Sequence, residues 1–408
     1  PKNRLRSQDI HRIVDTFWKG ADIPGYARMV PFEEIEKNEF NLNLPRFIDS
    51  QKEEDRQDIE GHLRGGIPAA DIGALQPYWN VYPTMKQDLL GECRPGYFEL
   101  KVDKTDVRPA IFEHAEFVAF REEMRVHYEQ WRARTASYLK ALEAGCDPKQ
   151  VILDISEDLL AHYTGKPLVD KYDIYQHLMD YWAETMQDDC YLLAADGWKA
   201  ETHRIIEEGK NGKQRDKGWA CDLVPKKYVV ARFFTDEQAA IDALTAELET
   251  VEAEKVDLEE EQGGEDGAFS ELEKINKGNV NARLKEIKGD PDAAEEEAAL
   301  KSWLKLSSRE GDLKKQIKEA EAVLDKAAYG KYPELTIEEI KALAVDDKWL
   351  SAVQALIEDE MDRISLSLAE RVIVLAERYD LALPEIAARV ANLETKVNQR
   401  LERMGYAW

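Results

Sequence analysis

Ile241, Leu244, Leu248, Val251, Lys255 and Leu258 are spaced 3-4-3-4-3 along the chain. Apolar residues at that spacing form one stripe of a helix, and such a stripe escapes water only against a second helix. Lys255 is the one polar member. A second stripe, Leu313, Ile317, Ala320, Leu324 and Ala327, follows the breaks at Gly263-Gly264 and Gly289-Asp290-Pro291. Punctuation of this kind lets a chain turn back on itself. The spacing therefore predicts an antiparallel helical hairpin or arm over residues 236–330. Shorter helices are expected within it around Phe269, Leu272 and Ile275 and around Leu284 and Ile287. This stretch holds 26 acidic and 13 basic residues, half of the net charge of −26 carried by all 408 residues. Charge of that density suits solvated helix faces.

The same period runs through most of the chain. Ser7-Gln8-Asp9 is a helix start ahead of Ile10, Ile13, Val14 and Phe17. Phe40-Asn41-Leu42-Asn43-Leu44 alternates with period two and reads as a short strand closed by Pro45. Helices are expected over Glu53–Leu63, over Ala69–Leu90 with Pro77 and Pro83 breaking or kinking it, over 109–143, over Val151–Tyr163 and over Asp173–Met186. Gly61-His62-Leu63-Arg64-Gly65-Gly66, followed by Ile67-Pro68, reads as a helix stop and turn; it lacks the Lys-Ser/Thr of a phosphate loop. Thr336 and Glu339 form a capping box for a helix Ile337–Ala344. Trp349–Arg378 is helical. In the last helix Leu383, Ile386, Val390, Leu393, Val397, Leu401 and Met404 make one stripe that needs a partner stripe from the preceding helix or another subunit.

Several function classes are excluded by what is missing. No Gly-x-Gly, Gly-x-Ser-x-Gly, His-Glu-x-x-His or Pro-Pro string occurs anywhere. Cys93, Cys146, Cys190 and Cys221 stand far apart and suit reduced packing thiols of a cytoplasmic protein. His11, His62, His114, His127, His162, His177 and His203 are scattered through helical pattern, each suited to packing or the surface. No apolar run approaches the ~18 residues that a membrane span needs. The acidic balance speaks against coating nucleic acid by bulk charge. On these residues no catalytic site, cofactor site or metal site is expected.

One island runs against that balance. Between Gly209 and Arg232 stand Lys210, Lys213, Arg215, Lys217, Lys226, Lys227 and Arg232, against Asp216 and Asp222 alone. Gly209, Gly212 and Gly218 suggest a flexible loop, and Tyr228–Phe234 a short strand or helix entry. Lys210, Lys213, Arg215, Lys217, Lys226 and Lys227 are candidate contacts to DNA phosphate. The competing reading is a solvated loop paired with acidic neighbours.

Together the strings Arg4–Phe17, Tyr26–Pro31, Asn38–Asp49, Asp58–Pro68, Asp170–Trp182, Trp219–Pro225 and Met404–Trp408 resemble the modification (M) subunit of type I restriction–modification enzymes, over essentially the whole chain. The resemblance implies an adenine-specific DNA methyltransferase that uses S-adenosylmethionine. It also implies work beside a specificity subunit and a restriction subunit, with the target base turned out of the duplex. The family's Gly-rich turn and its Asn/Asp-Pro-Pro-Tyr/Phe motif match no residue here. The expectation is a C-terminal portion, with Pro1 downstream of both motifs and no activity of its own.

The expected fold is mainly α: a helical scaffold with long coiled-coil helices and a small α/β remnant of a methyltransferase domain at the N-terminus. Residues 1–50 would close that domain, and residues 51–235 would form a helical scaffold carrying the basic loop 209–232. Residues 236–330 would be the acidic arm. Residues 331–408 would dock a partner through the Leu383–Met404 stripe. DNA would be met through the complex, with no membrane involved. The alternative is a non-enzymatic coiled-coil adaptor unrelated to methyltransferases.

Overall fold

The computed structural model describes residues 4–49, 57–208, 214–264 and 267–405. The fold is mainly α. The helices of eight or more residues are α1 (Ser7–Lys19), α2 (Ala115–Lys140), α3 (Pro148–His162), α4 (Lys171–Tyr181), α5 (Gln187–Asp196), α6 (Lys226–Phe233), α7 (Thr235–Glu261), α8 (Lys277–Glu286), α9 (Ala294–Lys331), α10 (Ser351–Arg378) and α11 (Leu383–Arg403). The strands are β1 (Ile67–Pro68), β2 (Leu90–Arg94), β3 (Tyr97–Leu100), β4 (His203–Glu208) and β5 (Gln214–Ala220). None of the described helices is long and apolar enough to cross a membrane. The chain divides into two compact units, one of residues 1–195 with 349–408 and one of residues 196–348.

The first unit is built around α10, which packs on α2, α4 and the short helix Val107–Phe112. Its stripe of Val353, Ile357, Met361, Ile364, Leu368, Val372 and Leu375 is buried. Tyr128 of α2, itself buried, donates its hydroxyl to the Leu350 carbonyl at 2.5 Å. The indole N–H of buried Trp349 donates to Asp189 at 2.7 Å, so neither polar atom is left without a partner. Glu360, also buried, accepts from Arg363 Nε at 2.7 Å and lies 3.3 Å from His177 Nε2.

Helix starts in this unit follow their caps. The expected 109–143 helix is interrupted because the His114 ring accepts from the Glu116 N–H and opens α2 as an N-cap. The expected Ala69–Leu90 helix is three short helices, Ala69–Gly73, Gln76–Val81 and Pro83–Leu89. Pro77 and Pro83 lie in the first turns of the second and third, where a missing N–H costs nothing. Leu90 already belongs to β2. The β1-β3-β2 sheet is antiparallel, pairing Ile67 with Phe98 and Leu90 with Leu100. Pro95-Gly96 turns between β2 and β3, with Gly96 at φ 79°.

The helix around Gly61 is Ile59–Arg64, capped by Asp58, whose carboxylate accepts from the Gly61 N–H at 2.6 Å. Gly61 is required by close approach, because a Cβ there would sit 2.9 Å from the Tyr379 ring. The expected strand Phe40–Leu44 is not formed. Glu39 and Phe40 take left-handed φ values of 56° and 57°, and a 3₁₀ turn covers Leu44–Arg46. Positive φ reverses the chain, so the alternation of Phe40, Leu42 and Leu44 never becomes a pleat.

In the second unit α7 and α9 pair antiparallel. Ile241, Val251, Leu313 and Leu324 are buried between or beside them. The polar seam position is satisfied by an ion pair, Lys255 Nζ to Glu310 Oε2 at 2.6 Å. Phe269 lies in a turn and Leu272 and Ile275 in irregular chain, not the expected helix; Asn276 then caps α8 through the Asn279 N–H. Phe269, Val280, Ile287, Leu300 and Trp303 close a small core there. Lys348 is buried with its ammonium donating to the Leu223 and Asp222 carbonyls at 2.9 and 3.2 Å. Thr336 and Glu339 form their capping box on Ile337–Lys341, and a π-helical stretch, Ala342–Leu350, follows.

Candidate functional site

The basic island folds as secondary structure. β4 and β5 form an antiparallel ribbon with Glu207 opposite Arg215 and Arg204 opposite Trp219. A bulge interrupts the register between Arg204 and Ile206, and Gly218 on the facing strand takes φ 107°, open to glycine alone at low cost. His203 therefore stands on a strand, not in the helical pattern expected of it. Tyr228–Phe234 belongs to α6, the helix entry of the two expected forms, apart from Phe234 at its C-cap. Lys210 and Lys213 lie outside the described residues.

The island's charge is largely spent on neighbours. Lys217 pairs with Glu207 at 3.0 Å and Arg204 with Asp216 at 3.7 Å. Lys226 Nζ meets Asp325 at 2.5 Å, and the Trp219 indole N–H donates to the same carboxylate at 3.0 Å. The Lys226 ammonium, helped by that indole, holds the Asp325 carboxyl below its ordinary value against the effect of burial. Arg232 grips Asp347 through two bonds of 2.7 Å. Lys227 lies 4.8 Å from the Tyr228 ring centroid. Among the described residues, Arg215 and Lys227 make no ion pair. Ion pairs between exposed groups such as these are weak, on the order of 0–1 kcal/mol.

Other reactive side chains are accounted for by the fold. All four cysteines are free thiols; burial pushes Cys190 up to about 12 and raises Cys146 and Cys221 above the usual thiol value. Such thiols are poor nucleophiles. Among the described residues no three His, Cys, Asp or Glu side chains come together as a metal-holding group. Sequence reasoning missed one pair. His127 of α2 and His162 of α3 stack with centroids 3.7 Å apart and planes at 2°, each Nε2 bonding the other's carbonyl at 2.9 and 2.8 Å. Burial pushes His127 below the ordinary histidine range, while its bond to the His162 carbonyl opposes the shift. No sequence signal marks it, since the two residues are 35 positions apart.

The expected docking stripe lies on α11, which buries no residue at all. Leu383, Ile386, Val390, Leu393, Val397 and Met404 are exposed, and Leu401 is half-buried. The structure thus brings the stripe together on one helix, and the described residues leave it largely uncovered.

At the other end, α1 is fixed to α3 and α4 by polar contacts. Gln8 donates twice, its backbone N–H to Gln176 and its amide to Asp173, both at 2.9 Å. His11 meets Glu157 at 2.7 Å, Arg12 meets Asp170 at 3.3 Å, and Tyr172 donates to Asp15 at 2.9 Å.

The family described as N-6 DNA methylase matches residues 1–56. The chain is 38% identical over 61 residues to the type I restriction enzyme MjaVII methylase subunit of Methanocaldococcus jannaschii, covering 15% of this chain and 11% of that protein. It is 32% identical over 57 residues to the MjaVIII methylase subunit of the same organism, covering 14% and 10%. The matched stretches thus span about a tenth of the length of these relatives. No solved structure matches. A methyl-donor crevice of the doubly wound kind opens between parallel strands. Both described sheets are antiparallel and the sequence holds no Gly-x-Gly, so the described residues do not fit S-adenosylmethionine.

Proposed function

We propose that this chain is the C-terminal portion of a type I restriction–modification methylase subunit, and that it serves as the scaffold through which the subunit engages its specificity subunit and DNA. The parent assembly transfers a methyl group from S-adenosylmethionine to the amino nitrogen of adenine. The methyl-donor and base-holding motifs belong to the catalytic part of that assembly. The observation that carries this reading is the N-6 DNA methylase match at residues 1–56, on a segment whose α1 is fixed by side-chain contacts to the helical unit that follows. The MjaVII and MjaVIII methylase subunits support the type I assignment.

Within this reading the α11 stripe is the seat of the specificity subunit. A helix with an apolar stripe and no buried residue gains by laying that stripe on a partner helix. The ribbon β4–β5 and α6 lie along DNA through Arg215, Lys217, Lys226 and Lys227, and Lys210 and Lys213 are the further phosphate contacts of the same basic island.

Mixing the chain with the specificity subunit encoded beside it tests the first part. Leu393→Asp with Val397→Asp is expected to weaken complex formation at least about tenfold, each aspartate placing a charge in a desolvated seam. Binding that is unchanged removes the docking role. For DNA, replacing Lys210, Lys213, Arg215 and Lys217 by Ala is expected to weaken duplex binding and flatten its salt dependence. Salt-dependent binding that survives the replacement counts against the ribbon.

A further inference from the structure

Helix α1 is built inside out. At about 100° per residue, Gln8, His11, Arg12 and Asp15 share one side of the helix, and those residues contact α3 and α4. Ile10, Ile13, Val14 and Phe17 share the opposite side, with Trp18 at its edge, and all five are exposed, Phe17 and Trp18 by 76% and 80%. The only buried residue of the helix is a glutamine. An amphipathic helix ordinarily buries its apolar stripe and wets its polar one. Here the polar stripe is latched and the apolar one faces out.

The exposure continues down the matched segment. Met29, Phe32, Phe40, Leu42 and Leu44 are each at least 60% exposed, and the helix Phe32–Lys37 buries nothing. A contiguous run of exposed large apolar side chains marks a binding surface. The N-6 DNA methylase family matches this same segment, and in the curated relatives the match is 11% and 10% of a longer protein. The matched piece must pack its apolar side chains somewhere in that longer fold, and the described residues of this chain do not receive them.

We infer that the outward face of α1 seats the catalytic body of an N-6 DNA methylase domain, so that α1 is a two-faced coupling helix: apolar toward that body, polar toward the helical unit. This rests on the methylase reading above. It adds the surface of attachment and a division of labour between the two faces. Substitutions on the apolar face detach the body, whereas substitutions in the polar latch leave it bound to α1 and loosen α1 from α3 and α4.

The test uses the chain together with the methylase sequence adjoining it at its own locus, in one polypeptide or two as the reading frame dictates. Hydrogen exchange is followed over residues 7–19, with methyl transfer to DNA measured in parallel. The expected result is slowing of exchange by at least about tenfold over Ile10–Trp18 when the body is present. Ile13→Asp with Phe17→Asp abolishes that slowing; Val323→Asp, exposed and remote in sequence, leaves it. Arg12→Ala with Asp15→Ala keeps the slowing in α1 and speeds exchange in α4. Circular dichroism identical to the parent certifies the fold of each variant. An assembly that methylates DNA while α1 exchanges equally fast with and without the body overturns the inference and spares the methylase reading. An assembly, complete with its specificity subunit, that transfers no methyl group removes the methylase reading itself. The absence of any methylase sequence at the locus, or a shift to a dimer that protects α1 in the chain alone, also overturns the inference, the second in favour of another copy as occupant.

Discussion

Helices α10 and α11 follow one another in the chain, carry apolar stripes of the same period, and have opposite fates. α10 buries Val353, Ile357, Met361, Ile364, Leu368, Val372 and Leu375, while the stripe of α11 lies in water. The difference does not come from the stripes. It comes from what faces them: α10 meets α2, α4 and the short helix Val107–Phe112, whereas the main contact of α11 among the described residues is the short helix Ile59–Arg64. A stripe therefore reports a need for a partner, and the surrounding chain decides whether the need is met at home. α1 teaches the same lesson from the other side, since it is held by its polar face.

The contrast is broken most directly inside α10. Leu368 is fully buried, and Leu368→Ala is expected to cost about 2–5 kcal/mol of stability, read from the urea midpoint. A loss below half a kilocalorie would mean that α10 is no better packed than α11. Next comes the buried carboxylate. Glu360→Gln leaves Arg363 and His177 with a weaker acceptor, and a loss of about 1–3 kcal/mol is expected at neutral pH.

Acid tests the same group without mutation. Burial alone would raise Glu360, but the bonds from His177 and Arg363 outweigh it and hold the carboxyl below its ordinary value of 4.5. The folded state thus binds its proton later than the unfolded one. The stabilisation is complete above the unfolded value and disappears as pH falls through the folded one. The gap in Tm between wild type and Glu360→Gln is expected to close in that window. A gap that is constant with pH would deny the ion pair its role.

A milder acid effect is expected at His127. Its folded value is depressed, so the unfolded chain takes up a proton first as pH drops below about 6.5, and stability declines there. His127→Gln should remove that decline, as followed by thermal unfolding between pH 7 and 5. The smallest effect belongs to α11. Leu393→Ala in the chain alone is expected to change stability by no more than about 0.5 kcal/mol, because the side chain is exposed. A larger loss would show that the stripe is already covered.

Local chemistry made much of this fold legible. The seam from Ile241 to Leu258 identified α7 and its need for a second helix, while the partner of Lys255, its one polar member, was supplied by the fold as Glu310. Thr336 with Glu339 located a helix start to the residue. The failures occurred where a local signal was ambiguous or absent. Phe40–Leu44 had a strand's alternation, but the positive φ at Glu39 and Phe40 turned the chain before a partner strand could be met. Pro95-Gly96 joins strands too short to show a period. Lys217, Lys226 and Arg232 stood out as basic in the sequence, where pairing with acidic neighbours was one of two readings, but the partners Glu207, Asp325 and Asp347, up to 115 positions away, are set by the fold.

The sequence by itself determined where most of the long helices run, which faces of them are apolar, and that neither a Gly-x-Gly nor a Pro-Pro string occurs between residues 1 and 408. Those are properties of neighbours three or four positions apart, written into side-chain spacing and caps. The tertiary structure alone decided that α10 is buried and α11 is bare, that α1 presents its apolar side outward, and that His127 finds His162. Burial is a relation between segments far apart in the chain, and periodicity within one segment carries no record of what will be packed against it.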